Sequence, residues 1–245
     1  MADLSTEFLS YQTKLIALLE SLNSGESGGT TILPTRLTLI NMVKIKLDEL
    51  IPEGEGVIYD LETSPNISNP YDLYINGLLD EAALNVLQIA PKEILKPKNA
   101  AIATGTQYDA NTGYVVVPAD YVRLHSFKMS NWAREVEEPI TKADPLYKLQ
   151  GNAFVRGGTK KPILVLNYKV ISSVVTKILE YYSVVDSHNI DKFLYIAETA
   201  AENMDDSLYP VLTWMCAGII LQNLKEFDLS TKAMERVQLN LSNLK

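Results

Sequence analysis

Residues 114–136, YVVVPADYVRLHSFKMSNWAREV, decide how this chain folds, together with PILVLNYKV (162–170) and KILEYYSV (177–184). Their apolar residues alternate or run in short β-branched blocks, the pattern of extended strands. On either side the apolar residues recur every three or four positions, the period of helices. The chain is therefore expected to be α+β, with residues 99–185 forming an antiparallel β-rich module inserted in a mainly helical bundle built from 1–98 and 186–245.

Working outward, Phe8, Tyr11, Leu15, Leu18 and Leu22 mark one face of a first helix, closed by the Gly/Ser stretch 23–30. Thr35 is placed to cap a second helix with Leu37, Ile40, Val43 or Lys44, Leu47 and Leu50 on one side, ending at Pro52. A Gly-, Pro- and acid-rich connection over 53–70 follows. Asn69-Pro70 then reads as cap and first residue of a third helix, which runs to Pro91 with Ile75, Leu78, Leu79, Ala82, Val86 and Ile89 on one face.

Within the module, AIAT (101–104) and YVVV flank a turn carrying Asp109, Asn111 and Gly113, and ADPLYKLQG (143–151) reads as a helical turn packed by Leu146 and Leu149. Which side of VRLHSFKMS faces inward is ambiguous. DKFLYIAETAAE (191–202) fits strand or helix, and the spacing of Phe193, Ile196 and Ala200 favours helix. Residues 207–224 are apolar nearly all round, the mark of a central helix, and a last helix is expected from Ser230 to Leu241.

The 245 residues carry a net charge of -8, which argues against wrapping nucleic acid through phosphate contacts. That charge is segregated: net -7 over 1–98, +3 over 99–185 and -4 over 186–245. The single cysteine, Cys216, lies in an apolar run and reads as a buried hydrophobe. No stretch is long and apolar enough to span a bilayer, and the N-terminus lacks the features of a signal peptide, so the chain is expected in the cytosol when made.

Tests for chemistry give little. His125 and His188 stand apart from any zinc-like spacing, and the glycine-rich SGESGG and RGGTKK lack the flanking strand and helix of a phosphate cradle. The chain is read as having no catalytic residues, cofactor or metal. Arg123, Lys128, Arg134, Arg156, Lys160 and Lys161, interleaved with Tyr121, Phe127, Trp132 and Tyr147, are the candidate interface residues. A protein contact suits them better than a single-strand nucleic-acid platform, because the module's net charge is small and its flanks are acidic. Trp132 is expected to pack internally and Arg156 to reach a neighbour.

Pro118, Asp120-Tyr121-x-Arg123-Leu124, Lys128, Trp132, Arg134, Val136, Asp144, Tyr147, Gln150, Asn152, Arg156-Gly157-Gly158, Pro162 and Glu180-Tyr181-Tyr182 occur here in a distinctive order. With the closing LYPVLTWMCAGIILQNL, this order resembles the head-to-tail adaptor (connector) proteins of tailed bacteriophages, in particular the ring proteins of crAss-like phages. The resemblance implies a virion structural protein, in a homododecameric ring under the portal vertex, that joins the portal to the tail and leaves a channel for DNA passage and genome ejection. Its partners would be copies of itself, the portal and other tail or ring proteins. The alternatives are a stopper or tail ring lower in the stack and, from a different class, a nucleic-acid-binding module.

Overall fold

The computed structural model describes residues 30–31, 34–50, 66–67, 69–152, 158–185 and 187–244. The expected first helix and most of the acidic connection lie outside them. The chain divides into two compact units, Met1–Ile94 with Thr199–Lys245, and Leu95–Glu198. Helix and strand both contribute heavily, so the chain is mixed α+β with antiparallel sheets, as expected, rather than mainly helical.

In the first unit a small ladder pairs β1 (Thr30–Thr31) with β2 (Asn66–Ile67). Helix α1 (Pro34–Leu50) starts one residue before the Thr35 read as its cap. Helix α2 (Pro70–Ile89) follows its sequence signal: the Asn69 side chain accepts from Tyr71 N and Pro70 opens the helix, a cap worth about 1 kcal/mol. The remaining helices, α4 (Tyr209–Asn223) and α5 (Phe227–Ser242), follow two 3-10 turns at Ala201–Asn203 and Asp206–Leu208. All eleven residues from Val211 to Leu221 are buried, because α4 packs against α1, α2 and α5. Cys216 is among them, and burial pushes its thiol up to about 12.

Two charged contacts order these helices. Lys44 sits at the position where the apolar stripe of α1 was ambiguous, and its ammonium is fully buried 2.7 Å from Asp72 on α2. A buried pair of this kind adds little net stability, but breaking it strands a charge. Arg36 donates to Asp80, Glu202 and Asn76, joining α1, α2 and the first 3-10 turn.

The second unit contains two sheets. One has the order β3 (Lys98–Asn99), β10 (Ile190–Ala197), β6 (Tyr121–Met129); the other runs β4 (Thr106–Gln107), β5 (Gly113–Val116), β9 (Val174–Tyr181), β8 (Leu164–Ile171), β7 (Ile140–Thr141). All pairings are antiparallel except β7 with β8. One apolar core draws on both sheets, with Val115, Leu164, Leu179 and Tyr181 from the larger and Leu124, Phe127, Phe193 and Tyr195 from the smaller.

The β10 strand corrects the helical reading of 191–202 and extends the β unit past 185 to Glu198. Phe193 and Tyr195 alternate as well as they repeat, and pairing along β6 from Met129 to Tyr121 selects the strand. The register shift between Leu194 opposite Ser126 and Tyr195 opposite Leu124 lets Leu124 and Phe127, three positions apart, share one core, which is why no single alternating set on β6 faces inward. AIAT is not a strand: only Thr104 bridges, to Asn189. The Asp109 turn forms as expected, its carboxylate accepting from Asn111 N and Thr112 N at 2.8 Å. The short α3 (Pro145–Leu149) also forms, yet Leu146 and Leu149 are 45% and 40% exposed, and Gln150 is the buried residue instead.

Tyr181 ties this unit together. Its phenol oxygen lies 2.8 Å from His188 Nδ1 and donates to Thr106 O at 3.4 Å. A Cβ on Gly105 or Gly113 would fall 2.3 Å from that oxygen, so neither position has room for a side chain. Nearby, Asp120 accepts from Tyr195 OH at 2.8 Å and from Lys98 at 2.6 Å. These bonds, Lys98 foremost, hold its carboxyl below the usual carboxylate range.

Gly105→Ala and Gly113→Ala are expected to destabilise by about 1–3 kcal/mol through overpacking, while Gly77→Ala, where the added methyl meets nothing, should raise helix stability by about 0.5–1 kcal/mol; thermal melts read all three. A depressed carboxyl stabilises the fold above its ordinary pKa, and that contribution is lost as pH falls below about 4. Asp120→Asn should therefore melt below the wild type at pH 7 and converge with it near the acid end of a pH series.

Candidate functional site

The longest regular feature of the β unit is the β8–β9 hairpin, paired from Leu164 opposite Tyr181 to Ile171 opposite Val174. Ser172 and Ser173 close it with φ of 49° and 67°, the double left-handed turn whose twist matches two-residue hairpins. On its inner face the rows are Leu164/Tyr181, Leu166/Leu179, Tyr168/Lys177 and Val170/Val175. The first two rows are in the core. The outer rows run past it, because β5 pairs with β9 only back to Ile178 and β7 with β8 only as far as Leu166.

The result is an apolar ribbon end. Tyr168, Val170, Val174 and Val175 are 62%, 65%, 63% and 69% exposed, and among the described residues the ladders leave both ribbon edges without a strand partner. Natural edges are usually blunted by charge, proline or cover. This one has no charged side chain between Lys169 and Lys177. Burying its four side chains in a partner would supply on the order of 5 kcal/mol before association costs.

The ribbon is braced where it leaves the sheet. Lys169 Nζ lies 4.3 Å and 4.1 Å from the ring centroids of Tyr108 and Tyr114, and Lys177 Nζ lies 4.9 Å from that of Tyr121, contacts worth about 0.5–2 kcal/mol each. Below Lys169, Glu180 accepts from Asn167 at 2.8 Å, from Tyr182 OH at 3.2 Å and from Tyr108 OH at 3.4 Å. Burial first, and then the Glu180 charge, pushes the Tyr108 phenol up to about 12 and moves Tyr182 the same way. Both therefore stay protonated and donate.

The other end of the hairpin is basic. Ala133 N donates to Thr159 O and Lys161 N to Gly158 O, each at 2.9 Å, which brings the 130–136 loop against the 158–161 turn. Arg134, Lys160 and Lys161 meet at this corner, all exposed. The other candidate residues do not join them. Lys128 is paired with Asp191 at 2.9 Å across β6 and β10, beside a Lys192–Glu135 pair at 2.8 Å. Arg123 is half-buried on β6 opposite Ile196, and Arg156 lies outside the described residues.

Of the four interleaved aromatics, Tyr147 is half-buried and the other three are not available for base stacking. Tyr121, Phe127 and Trp132 are buried, and Trp132 packs edge-on to Phe127 at 5.7 Å, the internal role expected of it. His188 is engaged by Tyr181. No helix among the described residues is long and apolar enough to cross a membrane.

The sequence identified strands β8 and β9 and offered Arg134, Lys160 and Lys161 among six basic candidates, but not the ribbon end. Its signal was the uncharged VISSVV at 170–175, whose serines read as a turn and whose valines read as more strand. Ser173→Gly is expected to relieve the left-handed backbone and raise stability by about 1 kcal/mol, measured by denaturant unfolding, with assembly behaviour unchanged.

No family model matches the chain, and no curated protein matches it in sequence.

Proposed function

We propose that this protein is a structural ring subunit of a virion, a head-to-tail adaptor joining the capsid portal to the tail around a channel through which DNA passes. The observation that carries this is one rigid hairpin with unlike surfaces at its two ends: the apolar ribbon of Tyr168, Val170, Val174 and Val175, and the corner of Arg134, Lys160 and Lys161. Eight paired residues per strand separate them by roughly 25 Å. A ring closes through head-to-tail contacts, so each subunit must present two different complementary patches. A subunit with a single sticky surface would stop at a dimer.

The order of residues that resembles the phage adaptors supports the same reading. So does the net charge of -8, since an acidic channel wall repels phosphate and lets DNA move without being held. A stopper or tail ring would need the same two surfaces and differs in which protein it meets. The nucleic-acid-binding alternative loses its main support with Tyr121, Phe127 and Trp132 buried.

Electron microscopy and native mass measurement of the purified protein should find closed rings, and co-expression with its portal should place them at the portal vertex. Reversing Arg134, Lys160 and Lys161 to glutamate should cut assembly at least tenfold at physiological salt. Rings that form equally well with the reversed corner would remove the corner from the interface. Tight binding of the wild type to duplex DNA at that salt would sink the adaptor reading.

A further inference from the structure

We infer that the ribbon end of one copy docks on the α4–α5 corner of a second copy, where Phe227 stands between Glu226 and Asp228. This rests on the ring reading and specifies one of its contacts.

Three observations select the pair. Each surface carries the most exposed large apolar side chains described in its own unit: Val170 and Val175 at 65% and 69% on the ribbon, and Phe227 at 62% on the helical unit. Their charges are opposite, since Lys169 and Lys177 are the only charged side chains between Leu164 and Leu179, whereas the corner sets Glu226 and Asp228, on either side of Phe227, against the single Lys225. Each is also held in shape before any partner arrives. The Lys169 ammonium lies over the Tyr108 and Tyr114 rings and the Lys177 ammonium over Tyr121. The corner turns at Lys225, whose φ is 67°, and Glu226 N donates to Leu221 O at 2.9 Å. Little ordering is then left to oppose association.

An apolar surface meeting an apolar surface across opposite charge is a heterologous contact, with the ribbon on one copy and the corner on the next. Ribbon against ribbon would instead place Lys169 and Lys177 against their own copies, and corner against corner would oppose acids.

The test uses two variants of the full chain, Val175→Asp and Phe227→Asp, both at exposed positions and both checked for wild-type melting. Val170→Thr with Val175→Thr serves as a milder second ribbon variant. By mass photometry and sedimentation each variant alone should lose rings and stay monomeric. Mixed, the two should form a heterodimer and nothing larger, because the intact ribbon of one can meet the intact corner of the other. The threonine pair should weaken assembly by about tenfold.

Rings from either aspartate variant would overturn this contact and leave the ring reading standing. A wild type that stays monomeric at high concentration, alone and with its portal, would remove the ring reading and the contact together. Monomeric variants that yield no heterodimer on mixing would overturn the head-to-tail pairing. Loss of binding to vesicles or single-stranded nucleic acid in Val175→Asp, with assembly unchanged, would assign the ribbon another occupant.

Discussion

The packing of Tyr181 is the constraint on which the β unit depends. Its strand is the middle one of the larger sheet, its ring lies in the core shared with the smaller sheet, and its hydroxyl meets His188, two residues before β10 begins. The glycines at 105 and 113 let β4 and β5 close over the phenol. A hydroxyl buried without partners would cost a few kcal/mol; here the same oxygen instead fastens its strand to His188 and to Thr106, 75 residues earlier. With the sheets fixed to each other in this way, the hairpin that starts at Tyr181 has a firm base.

What makes the hairpin adhesive is a difference of lengths. Strands β8 and β9 have eight residues each, whereas their neighbours β7 and β5 have two and four. The inner face is apolar from base to tip except at Lys177, so the core simply runs out before the pattern does. The basic corner has a parallel origin in pairing. Part of the β unit's positive charge is paired within it, as with Lys98, Lys128 and Lys192, whereas Arg134, Lys160 and Lys161 stand exposed on loops. Both surfaces are remainders of internal packing, which is why they are unlike each other.

Much of this was legible in the sequence. The Asn69-Pro70 start of α2, the turn at Asp109 and the central position of α4 each rest on local chemistry that context could hardly reverse. Residues 190–197 were harder, because Phe193, Tyr195, Ile196 and Ala197 satisfy both periods, and only the presence of β6 as a partner decides between them. Leu146 and Leu149 looked like packing residues and are not, since helical spacing does not reveal whether anything lies opposite. The burial of Lys44 was hidden for the converse reason: its partner Asp72 is 28 residues away. The six basic residues read alike in sequence; a cross-strand ion pair sets Lys128 apart and partial burial sets Arg123 apart.

The two-serine turn and the uncovered rows of the ribbon make its reach an adjustable quantity. Adding or removing one residue in each strand would exchange the inner and outer faces and bury the wrong side chains. Two residues per strand leave every face as it was and move the tip by about 7 Å, without touching Tyr181 or the core beneath it. Evolution, or an engineer, can thus fit the same body to a wider or narrower gap in steps of one row pair, with the packed base as a fixed mounting.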